Sequence, residues 1–238
     1  LSSIKPKFKY PLLNQGFSVD DILQGIKILS SGQITMSKVT KNFERMFAKK
    51  VGAKHAVMVN SGSSALILAI KALNIKKNSE VIVPCLNFGT ALSSILLCDL
   101  KPVLIDVDVE TLQIKFEDIE EKITKKTKLL LIPNLIGMIP EWEKIHKLAK
   151  KYKLKIIEDS ADTIGATIRN RTTGLYSDIS ITSFYGSHVI SCAGNGGMLL
   201  TNEKKYFLKS KIMRSWGRMS SLIKNSENIK DRLNIKIK

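Results

Sequence analysis

Apolar residues in this chain change their period along its length, and the change marks out its elements. Ser18 followed by Asp20 and Asp21 offers a side-chain oxygen to free helix amides and negative charge to the positive end of a helix, which predicts a short helix to about Ser30. From Ser37 onward, Val39, Phe43, Met46, Phe47 and Val51 recur at three- and four-residue spacing, predicting an amphipathic packing helix that Gly52 closes in a left-handed conformation. Beyond it, short apolar runs alternate with helical stretches: HAVMV then SALILAIKAL, EVIVP then TALSSILL, PVLIDV then FEDIEEKI, KLLLIP then EWEKIHKLAKKY, and KIIED. Runs of four to six apolar residues without alternation suit strands buried on both faces, and the stretches between are long enough for crossover helices. The pattern predicts an α/β fold built on a mostly parallel, helix-covered sheet.

After KIIED, the segments DISITSF and GMLLTN predict two further strands joined by the loop SHVISCAGNGG, and KYFLKSKIMRSW predicts a last helix. No repeat, low-complexity run or linker divides residues 1–238, so one unit is expected. The closing residues ENIKDRLNIKIK carry no cap, no glycine stop and no completed element, which reads as a chain ending within a pattern.

Composition narrows the class. With 238 residues, 44% hydrophobic and 25% charged, the chain can bury a sizeable core, and neither a disordered nor a fibrous protein is indicated. Lys+Arg 38 against Asp+Glu 21 gives a net charge of +17, which suits an anionic partner. The basic residues are spread along helices, as in EEKITKKTK and HKLAKKYKLK, without an aromatic-interleaved stripe, so they read as solvated faces and no nucleic-acid partner is expected. Cys85, Cys98 and Cys192 are odd in number and lack CxxC spacing, which speaks against a disulfide framework or a metal site and for a reducing cytoplasm. No apolar run approaches the ~20 residues that span a bilayer, and LSSIKPKFKYPLL has no signal-peptide core, so a soluble, cytoplasmic protein without a membrane partner is expected.

Candidate chemistry sits at the ends of the predicted strands. Asn60-Ser61-Gly62-Ser63-Ser64 follows a strand and opens a helix, where free amides and small hydroxyls cradle a phosphate or simply turn the chain. Asp159 ends KIIED, where it either faces a ligand crevice and pairs with a protonated pyridine nitrogen, or caps a helix beginning at Ser160. Phe88, just after VIVPCLN, either stacks on a flat ring or joins the core. Ser183 offers a hydroxyl, Tyr185 has no assigned role, and His188 is either a packed histidine or a base able to move protons near neutral pH.

Taken in order, VNSGSSAL, VPCLNF, IIEDSADTIGA and SDISITSFYGSHVISCAGNGGMLLTN resemble the DegT-type nucleotide-sugar aminotransferases and dehydratases, pyridoxal phosphate (PLP) enzymes of the aspartate aminotransferase fold, over nearly the whole chain. The resemblance implies that Gly62, Ser63 and Ser183 meet the cofactor phosphate, Phe88 the ring, and Asp159 the ring nitrogen. Asp162 falls where most relatives have a Gln near the ring hydroxyl. His188 falls on the lysine that would hold PLP covalently, which looks like the mark of the sugar 3-dehydratase branch acting on nucleotide-linked 4-keto-6-deoxyhexoses. An imidazole forms no imine, so pyridoxamine phosphate (PMP) is the implied cofactor form and His188 the implied general base. Arg214-Ser215-Trp216-Gly217-Arg218 resembles the family's RxWGR stretch, although Trp216 also suits packing. The absence of cysteine from MSSLIKNSENIKDR favours the subtype without an iron–sulfur cluster, with glutamate regenerating PMP. The resemblance also implies a homodimer, and a C-terminal small domain that is absent from residues 1–238, leaving an N-terminal segment plus the PLP-binding large domain. Competing readings are a nucleotide-sugar aminotransferase, a non-catalytic truncated member of the family and, more remotely, a basic nucleic-acid-binding module.

Overall fold

The computed structural model describes residues 9 and 16–223; the closing segment ENIKDRLNIKIK lies outside them. Helix α1, Val19–Ser30, begins on the predicted signal. Ser18 Oγ accepts from the Asp21 amide at 3.2 Å, and Asp21 Oδ2 accepts from the Ser18 amide at 2.8 Å, a reciprocal capping box. Helix α2, Lys38–Lys50, ends before Gly52 at φ 71. Its Phe43 and Phe47 rings pack 5.4 and 5.2 Å from Phe184, whereas Val39 and Met46 are exposed, so only part of the predicted face is packed.

The alternating region then forms β1 (His55–Val59), α3 (Gly62–Leu73), β2 (Glu80–Pro84), α4 (Gly89–Leu97), β3 (Lys101–Ile105), α5 (Phe116–Glu121), β4 (Thr127–Pro133), α6 (Trp142–Tyr152) and β5 (Lys155–Asp159). After a hairpin of β6 (Thr167–Ile168) and β7 (Arg171–Thr172) come β8 (Ile179–Ser183), β9 (Gly197–Thr201) and α7 (Lys204–Arg214). Seven strands make one sheet in the order β1-β9-β8-β5-β4-β2-β3. The pairs β2–β3, β2–β4, β4–β5 and β5–β8 are parallel, and β9 runs antiparallel to both β1 and β8.

Both faces of the sheet are covered, as the unbroken apolar runs require. Along β4, Leu129 and Leu131 face a layer containing Ala65, Leu66 and Ala69 of α3, while Leu130 and Ile132 face Trp142 and Ile145 of α6. This doubly covered sheet fixes its strand ends rigidly, and the loops leaving those ends carry the candidate site.

Locally, one of the two readings of Asp159 fails, one hairpin was not expected, and α7 ends early. No helix begins at Ser160, so Asp159 caps none; its carboxylate instead accepts from the Ala161 amide at 3.0 Å in a tight Asx turn. The β6–β7 hairpin has no signal in the apolar pattern, because its strands are two residues long; Arg169 and Asn170, at φ 49 and 62, make a turn that Asn-Gly would ordinarily announce. Helix α7 stops at Arg214 rather than running to Trp216, since Trp216 and Gly217 both take left-handed conformations, φ 57 and 77. Trp216 is 74% exposed and does not pack in the core; the Arg218 guanidinium lies 5.1 Å from its ring centre.

Candidate active site

Parallel strands gather their carboxyl ends on one edge of the sheet, and there the structure has a cavity of about 670 Å³. Gly62 and Ser63 line it from the start of α3, and Phe88 from the start of α4. Asp159 and Asp162 line it from the end of β5 and the loop beyond, and Ser183 and His188 from the end of β8 and its loop. Gly62, Ser63, Phe88, Asp159, Asp162, Ser183 and His188 thus converge on one space, although the chain separates the first from the last by more than a hundred residues.

The β1–α3 turn is held by close backbone packing. Ser61 caps α3, its Oγ accepting from the Ser64 amide at 3.0 Å, while the first amides of a helix have no partner within it. A Cβ on Gly62 would lie 2.8 Å from Ser183 Cβ, and one on Gly197 would lie 2.2 Å from the Ser61 carbonyl oxygen. Glycine at both positions lets the turn seat directly on β8 and β9, which brings the Ser183 hydroxyl beside the open amides of α3.

Asp159 is partly buried at the cavity floor. Burial pushes its carboxyl up to about 6, with the nearby Asp162 and Glu158 carboxylates adding to the rise and the Ala161 N–H opposing it. A cation placed against it would relieve that cost. Phe88 is 71% exposed at the rim rather than a core residue, so its ring face is available to a ligand.

His188 is positioned by its own loop. Its backbone N–H donates to the Tyr185 carbonyl at 3.0 Å, and its ring meets the Tyr185 ring edge-on at 6.0 Å. Nε2 lies 3.7 Å from Asp162 Oδ1, and Asp162 Oδ2 accepts from the Ile136 amide at 3.3 Å. His188 Nδ1 is buried with no hydrogen-bond partner among the described residues, and the same is true of Asn87 Nδ2. No lysine or arginine of the described residues lines the cavity.

Asn87, Asn134 and Asn195 also line the cavity and were not picked out from sequence. Asn134 directly follows β4, one residue beyond the strand-end place that Asp159 holds on β5, so proximity to a strand end could have found it. Elsewhere, Arg214 of the RxWGR-like stretch lies away from this cavity: it pairs with Glu44 of α2 and donates to the Met58 carbonyl at 3.1 Å. Among the described residues no group of His, Cys, Asp and Glu could hold a metal ion, no helix is long and apolar enough to cross a membrane, and the three cysteines are free.

Comparison with known proteins places these features. GDP-perosamine synthase of Caulobacter vibrioides is 37% identical over 175 residues, covering 74% of this chain and 47% of that protein. GDP-4-keto-6-deoxy-D-mannose 3-dehydratase of Escherichia coli O55:H7 is 30% identical over 225 residues, covering 92% of this chain and 58% of that protein. The fold superposes with a TM-score of 0.83, at 30% identity, on a GDP-4-keto-6-deoxymannose-3-dehydratase solved with a trapped PLP-glutamate geminal diamine, covering 90% of this chain and 56% of that one. The chain therefore spans about half the length of these relatives. A sequence profile of the DegT/DnrJ/EryC1/StrS aminotransferase family matches residues 19–236, and the chain belongs to that family.

Proposed function

We propose that the protein binds PMP without a covalent bond and dehydrates a nucleotide-linked 4-keto-6-deoxyhexose at its third carbon, with His188 as general base. The observation that carries this reading is the lining of the cavity, which contains an imidazole and no lysine among the described residues. Relatives named as 3-dehydratases and a solved dehydratase carrying PLP support it.

The residues present fit such a cofactor. Open first-turn amides at Gly62 and Ser63, with the Ser183 hydroxyl beside them, suit a phosphate. Asp159, costly to ionise where it stands, suits a protonated ring nitrogen, and exposed Phe88 suits the face of the ring. Bound PMP supplies an amine that condenses with a sugar ketone, and a ring that accepts electrons. Asp159 keeps the proton on the ring nitrogen, which maintains that electron demand. With the cofactor bound, His188 would take a proton from its methylene carbon and, as imidazolium, return a proton to the hydroxyl at the third carbon of the sugar, which would leave as water. Asp162, 3.7 Å from Nε2, faces the imidazolium formed and stabilises it. Glutamate as the amino donor that regenerates PMP is supported by its capture in the solved dehydratase.

A homodimer completes the proposal. Phe88 and Ile136 are exposed apolar residues of the cavity lining, and Met138 and Val189, each within two residues of a lining residue in the chain, are exposed as well, a surface suited to a second copy.

His188→Asn tests the assignment of the base. The expected result is loss of dehydration by at least about 10²-fold, with PMP affinity within about twofold of the parent protein. Equal turnover by the variant would move the base to another group.

A further inference from the structure

Behind Asp159 lies a buried carboxyl group that the proposed reaction does not use. Glu158 precedes it on β5, points to the other side of the strand, and is fully buried. Its Oε1 accepts from Asn134 Nδ2 at 2.7 Å and from Ser160 Oγ at 2.8 Å. Its Oε2 is buried with no hydrogen-bond partner among the described residues. No salt bridge to Glu158 occurs among the described residues, so the carboxylate is held by neutral donors alone.

Asn134 is the hub of this arrangement. Besides donating to Glu158, its Nδ2 donates to Ser160 Oγ at 3.0 Å, and its Oδ1 accepts from Trp142 Nε1 at 2.8 Å. Its backbone N–H donates to the Asp159 carbonyl at 2.8 Å, and its own carbonyl accepts from Thr163 Oγ1 at 2.9 Å. The residues on either side of Asp159 are therefore tied through their side chains to one asparagine at the end of β4, and Asp159 is tied through its backbone. The paired groups, Asn134 Nδ2 and Oδ1, Ser160 Oγ and Glu158 Oε1, restrain the carboxyl end of β5, while Glu158 Oε2 is left without a partner among the described residues.

We propose that Glu158 is a positioning residue for Asp159: through Asn134 and Ser160 it locks the carboxyl end of β5, and its buried charge acts on the Asp159 carboxylate from behind. The titratable groups around Asp159 are few. Glu158 lies on its own strand, Asp162 on the following loop, and His188 beyond Asp162. The lining contributed by α3, α4, β4 and β8 at Ser63, Asn87, Asn134 and Ser183 is uncharged. Glu158 therefore adds to the pull on a cation at Asp159 without touching it. This inference rests on the proposed pairing of Asp159 with a protonated ring nitrogen.

Glu158→Gln keeps the shape and an acceptor for Asn134 while removing the charge. The measurement is the carboxyl titration of Asp159 in cofactor-free protein carrying ¹³C-labelled aspartate, with the signal assigned by Asp159→Asn. The parent midpoint is expected near 6, and the variant's about half a pH unit lower. PMP is expected to bind about threefold more weakly to Glu158→Gln, the equivalent of that half unit. Should that variant not fold, Ser160→Ala removes one donor from the same carboxylate, and a PMP dissociation constant raised about twofold or more is expected. A merely structural residue would lower the melting temperature and leave the Asp159 midpoint in place. An unmoved midpoint in Glu158→Gln, or in its absence an unchanged PMP constant in Ser160→Ala, overturns the proposal. If instead the midpoint moves while Asp159→Asn binds PMP as tightly as the parent, Glu158 acts as proposed and the pairing of Asp159 with the ring nitrogen is wrong.

Discussion

A carboxylate raised to about 6 and an imidazole with one nitrogen buried and unpartnered are expensive side chains to keep in a cavity. The cost of Asp159 has a readable sign. Its folded value lies above the ordinary 3.8, so the folded state holds the proton more tightly than the unfolded chain. Cofactor-free protein should therefore lose stability as pH rises from about 4 to about 6, and the loss should be complete above that window. Asp159→Asn should remove this dependence and stabilise the cofactor-free protein above pH 6 while weakening PMP binding. Thermal melts of both proteins across pH 4 to 8 check it, and parallel curves would contradict the assignment. At this scale the candidate residues were legible because each stands in a short motif after a strand. The Trp142–Asn134–Glu158 network was not, since its partners approach from α6, β4 and β5 and no local spacing announces that meeting.

Among the elements, the β1–α3 turn depends most on a single small residue. Gly62→Ala would place a methyl carbon 2.8 Å from Ser183 Cβ, in backbone that cannot yield without moving the start of α3 off β8. The expected outcome is a destabilisation of about 1–3 kcal/mol and PMP binding weakened about tenfold, because the α3 amides and the Ser183 hydroxyl proposed to hold the phosphate shift together. Calorimetry and a PMP titration check this; a variant that binds as the parent does would show that the turn does not hold the phosphate. The strands and long helices were legible because burial on both faces writes continuous apolar runs. The β6–β7 hairpin was not, because it turns on left-handed Arg169 and Asn170 with no glycine to announce them, and the end of α7 was missed by two residues because left-handed Trp216 precedes Gly217. Of the two readings of Asp159, the helix cap does not hold, since the same residue type serves an Asx turn equally well.

Over the whole molecule the net charge is +17, whereas the acidic lining of the cavity is Asp159 and Asp162, with His188 beside them. The surface field favours an anionic substrate, and the cavity floor favours a cation, which matches a nucleotide sugar meeting a protonated cofactor ring. The apparent affinity for the nucleotide sugar should accordingly fall as ionic strength is raised about tenfold, whereas PMP affinity should change less. Salt-insensitive substrate binding would show that the +17 charge plays no part in recruitment. The architecture was legible because it follows from the order of alternating elements. The antiparallel insertion of β9 between β1 and β8 was not, because strand order is set by contacts between distant segments.

The central claim is that this cavity uses PLP chemistry without a lysine anchor. Its most direct test is to incubate the protein with PLP, add borohydride, and map any covalent adduct by peptide mass spectrometry. The account predicts no stoichiometric adduct, with PLP lost on dialysis under denaturing conditions. One lysine labelled to near completion would contradict it and return the protein to the aminotransferase reading.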